Sequence, residues 1–226
     1  MRLAKDNVLW LPDGDTWSFW GTKYEIGILR KLKDTLGGHV ALDVGAHVGI
    51  WTLRLAEHYD KVICFEPLPK HIECHEANTE KLTNVTLNKI ALSNEKGPNI
   101  IRTMKSNSGR SSIDKKFSSH MKCEEIEIHT DLLDNYHFDI IDFMKIDVEG
   151  HELKMLEGAY NTISRHKPDI FIEVWPENVD TMFKYFEDIG YDMTKQLNSQ
   201  NYLFIHKDKQ KVLKKLDKFF EASTPA

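Results

Sequence analysis

The stretch LDVGAHVGIWTL, residues 42–53, decides how the whole chain is read. It passes from apolar residues through Gly45-Ala46-His47-Val48-Gly49 into a segment with helical spacing. An apolar run that ends on an acid and a glycine turn, with a helix directly after it, marks the carboxyl end of a buried strand. The helix start in such a turn carries unpaired N–H groups, so anionic groups collect there. A dinucleotide turn would read G-x-G-x-x-G, with a middle glycine that lets the backbone approach a pyrophosphate. Here His47 stands in the middle place and Ile50 in the last. Two phosphates would be crowded out.

What fits is a nucleoside with a short zwitterionic tail. Asp43 at the strand end is placed to receive an ammonium group, directly or through water. Gly45 and Gly49 allow close backbone approach and tight helix packing. Glu66 ends the next apolar run, KVICFE, at about the spacing where a carboxylate accepts both ribose hydroxyls. S-adenosylmethionine matches this description. The same acids could instead cap helices, and the same glycines could simply turn the chain.

Working outward, the pattern alternates strand and helix. HVAL leads into the strand ending at Val44, a helix follows from about Gly49 to His58, and KVICFE is the next strand. Residues 70–81 have helical character, and NVTLNKIAL begins a third strand. Residues 97–130 are less regular, although EEIEIH alternates as an extra strand or hairpin would. FDIIDFMKID ends a fourth strand near Asp147, and HELKMLEGAYNTISRH reads as a helix. PDIFIEV is a fifth strand, NVDTMFKYFEDIG an amphipathic helix closed by Gly190, and YDMTKQ with NYLFIHK a terminal antiparallel pair. Alternation of this kind implies βαβ units and a mostly parallel sheet covered on both faces, with ligands beyond the carboxyl ends of the strands.

The 226 residues suffice for one α/β domain with a full core, and no Pro/Gly/Ser-rich linker divides them. The expected organisation is a single domain over 1–226, with an N-terminal cap segment at 1–38, a core at 39–206 and a basic helical tail at 207–226. Hydrophobic content of 41% and charged content of 29% are those of an ordinary globular protein. A formal net charge of −5 argues against a protein that coats nucleic acid by charge. Cys64, Cys74 and Cys123 form no C-x-x-C pair, which suits a reducing compartment, and no segment approaches a membrane span. The expected location is cytoplasmic.

Four blocks resemble, in order, those of the FkbM-type methyltransferases. They are ALDVGAHVGIWTL (41–53), VICFEPLPKHIECHEAN (62–78), NVTLNKIALSNEKG (84–97) and FMKIDVEGHELKMLEGA (143–159) with KPDIFIEV (167–174). The resemblance covers about residues 24–175 and is most specific in KIDVEGHE. It implies a Rossmann-like class I methyltransferase fold: a mostly parallel seven-stranded sheet with an antiparallel last strand and helices on both faces. It also implies dependence on S-adenosylmethionine and, most often, O-methylation of a sugar or natural-product hydroxyl. By position, it puts the methionine part of the cofactor at Asp43, Gly45, Ala46, His47 and Gly49. The ribose falls on Glu66, with Pro67 following, and adenine near Ala91 and Leu92. Tyr24 and Glu25 match a pair expected at the lip of the cofactor site, and Ser111 and Ser112 lie in a variable loop that faces substrate. Trp51 stands where a smaller aromatic is common, and residues 130–133 only approximate the usual block before the fourth strand.

Methyl transfer to a hydroxyl needs a group to take its proton. Candidates cluster in Asp147, Glu149 and His151, just after the fourth strand, with His151 a base on intrinsic pKa and the acids able to act or to orient. Asp147 could equally cap the following helix, and Glu152 fits an exposed first helical turn. Lys145 shares the strand face of Asp147 and reads as its buried charge partner. Acids at the ends of strands four and five, Asp147 and Glu173, leave Mg²⁺ as the lesser alternative to a metal-free site. The expected partner is a small-molecule or glycan acceptor. Competing readings are an N-methyltransferase on an amine or nucleic acid, for which the Asn/Asp-Pro-Pro-aromatic element is absent, a non-catalytic cofactor-binding module, and a dehydrogenase. Oligomeric state is not legible.

Overall fold

The computed structural model describes residues 2–3, 9–13, 27–30, 32, 36–104, 107–114, 123–191 and 193–209. The expected lip residues Tyr24 and Glu25 lie outside these, as do most of the cap segment and positions 210–226 of the tail.

A short antiparallel pair, β1 (Arg2–Leu3) with β2 (Trp10–Leu11), precedes the core. The core is one seven-stranded sheet. Its strands are β3 (Gly38–Val44), β4 (Tyr59–Phe65), β5 (Val85–Asn88), β10 (Phe143–Ile146), β11 (Asp169–Glu173), β12 (Met193–Gln196) and β13 (Asn201–Ile205). They lie in the order β12-β13-β11-β10-β3-β4-β5. Only β13 runs against its neighbours, pairing antiparallel with both β11 and β12, while β10, β11, β3, β4 and β5 pair in parallel. This is the class I arrangement implied by the resemblance. From β3 the chain moves outward through β4 and β5, then returns to β10 on the other flank. The reversal falls between β3 and β10, and a parallel sheet opens a ligand crevice there.

The strands read as continuous apolar runs because both faces are buried. Leu42 and Val44 of β3, Met144 and Ile146 of β10, and Ile170 and Ile172 of β11 face one core. Ala41, Phe143 and Phe171, one residue out of phase, face the other with Val62 and Leu203. Helix α1 (Ile50–Leu55) covers this second face through Trp51 and Leu55. Helices α2 (Pro69–Thr79), α3 (Glu152–Glu157), α4 (Tyr160–His166) and α5 (Val179–Asp188) complete the layers. On α5, Phe186 is fully buried and stacks on Phe204 of β13 with ring centroids 3.9 Å apart. No helix among the described residues is long and apolar enough to cross a membrane.

Two expectations change in detail. The helix read over 151–166 is broken in two at Gly158 and Ala159, and Gly158 packs so close to the chain at Ser93 that an added Cβ would collide with its carbonyl oxygen. The run NVTLNKIAL serves two sheets. Val85–Asn88 completes the main sheet, whereas β6 (Ala91–Leu92) joins β7 (Gly97–Met104), β8 (Asn107–Ser112) and β9 (Glu124–Asp131) in a separate four-stranded sheet, ordered β6-β9-β7-β8. The alternation seen in EEIEIH is β9, whose Ile128 turns inward to a small core with Leu68, Ala91 and Ile101.

Candidate active site

Beyond the carboxyl ends of β3, β4 and β10 opens a cleft of about 870 Å³ including its mouth. Its floor is the turn after β3. Gly45 and Ala46 both donate their N–H to the Phe65 carbonyl, at 3.0 and 3.1 Å, which ties the turn to the end of β4. Gly45 (φ 74°), His47 (φ 51°) and Gly49 (φ 90°) all take the left-handed conformation. A histidine tolerates that region better than a branched residue would. A Cβ on Gly45 would run into the Asp147 carbonyl oxygen, so the two loops that build the cleft touch backbone to backbone.

Glu66 follows β4 and is 4% exposed, on the cleft wall. Its Oε2 accepts the His47 N–H at 3.0 Å, and its Oε1 accepts the Leu68 N–H at 2.9 Å and the His71 ring N–H at 3.1 Å. Burial alone would raise its pKa. The charge and N–H of His71, the Leu68 N–H and the charge of His47 outweigh that and bring it down to about 2. The carboxylate is thereby ionised and fixed in direction. Because it binds its proton more weakly folded than unfolded, its contribution to stability is complete above about pH 4.5 and disappears as the pH falls toward 2. The loss is roughly 3 kcal/mol, more than half of it between pH 5 and pH 3. Urea unfolding at those two pH values should show it for the native chain and not for Glu66→Gln; equal slopes for the two proteins would refute the assignment.

Asp43 sits one layer behind the wall, fully buried. Its Oδ2 accepts the Thr52 hydroxyl at 2.6 Å, and Thr52 in turn meets His75 Nε2 at 2.9 Å. Lys145, directly opposite Asp43 in the β3–β10 register, brings its Nζ to 3.5 Å from Asp43 Oδ1 and 3.8 Å from Asp147 Oδ2. The same Nζ donates to the Gly45 carbonyl at 2.6 Å. Lys145 is thus the buried charge partner that its strand position suggested. It also lines the cleft, so Asp43 acts on the cleft through it. Gly49 is likewise behind the wall, and a Cβ added to it would come within 3.1 Å of the His75 ring.

The far wall is the 147–152 loop. Asp147, Val148, Glu149 and His151 all line the cleft. Glu149 (φ 53°) and Gly150 (φ 92°) turn the chain left-handed. Burial, then the charges of Asp147, Glu173 and Glu152, push the Glu149 carboxyl well above the usual range, and Arg110 opposes them. His151 is 4% exposed, with its Nε2 2.9 Å from the Ser93 hydroxyl. Burial and then Lys154 lower its pKa to about 4, so its free ring is neutral and only weakly basic at neutral pH. Glu152 is not in an exposed first turn as its position suggested. It is 1% exposed and its Oε1 accepts the Gly150 N–H at 3.0 Å, with the Val148 N–H at 3.3 Å. The helix that follows has no side-chain cap, so Asp147 does not act as one.

The four-stranded sheet closes the third side. Pro67, Ala91 and Leu92 line the cleft beside Glu66, and Ile101, Gly109, Ser111 and Ile113 come from β7, β8 and the residue after it. Ser111 donates to Thr103 at 2.9 Å. Ser112 points away, fully buried, and accepts the Asp114 N–H at 3.0 Å. Of the residues singled out from sequence, the structure brings together Gly45, Ala46, His47, Glu66, Pro67, Ala91, Leu92, Ser111, Asp147, Glu149 and His151 on one cleft surface. Asp43, Gly49, Ser112 and Glu173 stand off it. Sequence reasoning missed Ser93 and the role of His71. The latter had a signal, since a residue two places into a helix that starts at Pro69 can fold back onto an acid just before it.

A family model described as "Methyltransferase FkbM domain" matches residues 43–193. The methyltransferase sdnD of Sordaria araneosa is 26% identical over 192 residues, covering 68% of this chain and 74% of its own. Among solved structures, methyltransferase FkbM of Methylobacillus flagellatus superposes with a TM-score of 0.52 at 20% identity over 75% of this chain. The chain spans 44% of that protein's length. A Streptococcus mutans methyltransferase candidate in complex with SAH gives a TM-score of 0.48 at 14% identity, over 80% of this chain and 94% of its own. The family match takes in the turn after β3, Glu66 and the 147–152 loop, which build the cleft, and Glu173 beside it. The chain belongs to the FkbM-type, S-adenosylmethionine-dependent methyltransferases.

Proposed function

We propose that the protein methylates a hydroxyl oxygen on a sugar, a glycan or a small hydroxylated metabolite. One observation carries this reading: Glu149, a carboxylate with a raised affinity for protons, shares a cleft with the Glu66 and Gly45–His47 wall. The wall suits the cofactor. Glu66 is ionised and aimed by three N–H groups, so it can accept ribose hydroxyls without reorganising. The turn at Gly45 and Ala46 gives a close backbone approach for the methionine end, with Asp43 acting behind Lys145. Ala91 and Leu92 offer an apolar slot for a base.

S-adenosylmethionine, when bound, supplies the methyl carbon: the acceptor O–H gives up its proton, the O–C bond forms as the C–S bond breaks, and a neutral thioether remains. The chain's own part is to aim the hydroxyl and take that proton. We assign the proton to Glu149, with Asp147 orienting, because both line the acceptor side of the cleft and burial gives Glu149 the stronger proton affinity. His151, held on one nitrogen by Ser93 and weakened by burial, positions the loop. Ile101, Ile113 and Ser111 shape the acceptor's pocket and exclude water. A small polar acceptor goes with a cytoplasmic enzyme.

Calorimetry with S-adenosylhomocysteine and NAD should show binding of the first and little of the second; the reverse would sink the cofactor wall as drawn. Glu66→Ala should weaken that binding by roughly 1–3 kcal/mol, the cost of ribose hydrogen bonds left unmade. A screen of labelled methyl transfer onto sugars, nucleotide sugars, phenols, amines and oligonucleotides then identifies the acceptor. Product methylated on nitrogen alone would overturn the hydroxyl assignment.

A further inference from the structure

Four acids converge where the acceptor would lie. Asp147, Glu149 and Glu173 each bring one carboxylate oxygen to within 4.8 Å of the others'. Oxygen–metal distances of about 2.1 Å for Mg²⁺ and 2.4 Å for Ca²⁺ put opposite ligands about 4.2 and 4.8 Å apart. Three oxygens within that limit are close enough to share one hard divalent cation. A second observation comes from behind them. Glu152 is 1% exposed, and its Oε2 has no hydrogen-bond partner, although Oε1 accepts two backbone N–H groups. Its charge reaches both Glu149 and Glu173, and Asp147 acts on it in return. A buried carboxylate oxygen without a hydrogen-bond partner is costly unless positive charge is supplied nearby. Lys145 stands at the edge of the group, already divided between Asp43 and Asp147.

We infer that Asp147, Glu149 and Glu173 hold a divalent cation through one oxygen each, with Glu152 supporting the site from behind. All the donors are carboxylate oxygens, with no ring nitrogen or thiolate among them. That selects Mg²⁺, Mn²⁺ or Ca²⁺ over zinc or copper. Each acid gives one oxygen, which leaves Glu149 a second for the acceptor's proton, and three protein ligands leave coordination positions for water or acceptor oxygens. The acceptor side of this inference rests on the methyltransferase reading above; the cation site itself does not.

The test uses Mn²⁺ as probe, with the full chain and neither cofactor nor acceptor present. Loss of the free-Mn²⁺ paramagnetic resonance signal should titrate to one ion per chain. Glu173→Gln should weaken that binding at least ten-fold. Glu173 lies off the cleft wall and is only half-buried, so replacing it by its amide should leave the fold intact, which S-adenosylhomocysteine calorimetry checks in the same preparation. No saturable Mn²⁺ binding, or unchanged binding in Glu173→Gln, would overturn the site. S-adenosylhomocysteine bound without Mn²⁺ would reject the cation and keep the methyltransferase reading. Mn²⁺ bound with no cofactor affinity would do the opposite.

Discussion

Glu149→Gln is expected to lower turnover about 10²–10⁴-fold while S-adenosylhomocysteine affinity changes only a few-fold. The amide keeps the size and left-handed backbone of Glu149 but cannot take a proton. A group that acts in the transition state moves kcat and leaves the bound cofactor alone. His151→Ala should cost much less, below about ten-fold, since its imidazole is a poor base when buried. Steady-state kinetics with the identified acceptor decides between them. A dead His151→Ala beside an active Glu149→Gln would return the base to the histidine. Glu173→Gln leaves the Glu149 side chain in place but removes a charge that raises its carboxyl, so a loss of turnover there is assigned to the cation only where Mn²⁺ affinity falls with it.

The second large effect is structural. Gly45→Ala should destabilise the fold by roughly 2–5 kcal/mol, combining the left-handed backbone penalty with a collision. The collision is with the Asp147 carbonyl, and neither side can yield cheaply. Gly45 is tied to Phe65 through its N–H at 3.0 Å and to Lys145 through its carbonyl at 2.6 Å, while the Asp147 N–H is held by Val44 at 3.1 Å. Gly109→Ala provides the contrast, because its nearest atom to an added Cβ is a side-chain oxygen at 3.5 Å. It should lower the unfolding free energy by less than about 1 kcal/mol, with a correspondingly small shift of the urea midpoint. Equal midpoints for the two variants would show that the loops after β3 and β10 are not in backbone contact.

The sheet was legible because its strands are buried on both faces, so each announces itself as an apolar run bounded by turns. The antiparallel end was legible for the same reason. Which sheet a strand joins was not. Nothing local in NVTLNKIAL separates Val85–Asn88 from Ala91–Leu92, and the division arises from pairing with Thr130 and Asp131, about forty residues away. Asp43 and Glu152 show the same boundary in the site. Each stands at a position whose local chemistry suggests exposure to ligand or water. Asp43 is covered because strand alternation turns it toward Thr52 and Lys145. Glu152 is covered because the loop before it folds back and uses its carboxylate as a hydrogen-bond acceptor. Residues that line the cleft at the turn itself, such as Gly45 and Ala46, were readable from the turn. Residues that matter by whom they meet across the fold, such as Ser93 and His71, were not.

The separate four-stranded sheet divides the labour of the protein between two independently hydrogen-bonded frameworks. Among the described residues, strands β7, β8 and β9 pair only with one another and with Ala91–Leu92, so lengthening or rewriting the hairpin leaves the register of the seven-stranded sheet untouched. On the acceptor pocket proposed above, exchanging the β7–β8 hairpin changes the wall at Ile101 and Ser111, while the turn at Gly45 and the carboxylate of Glu66 keep hydrogen bonds of their own. A hairpin held in this way is an exchangeable part on a constant frame.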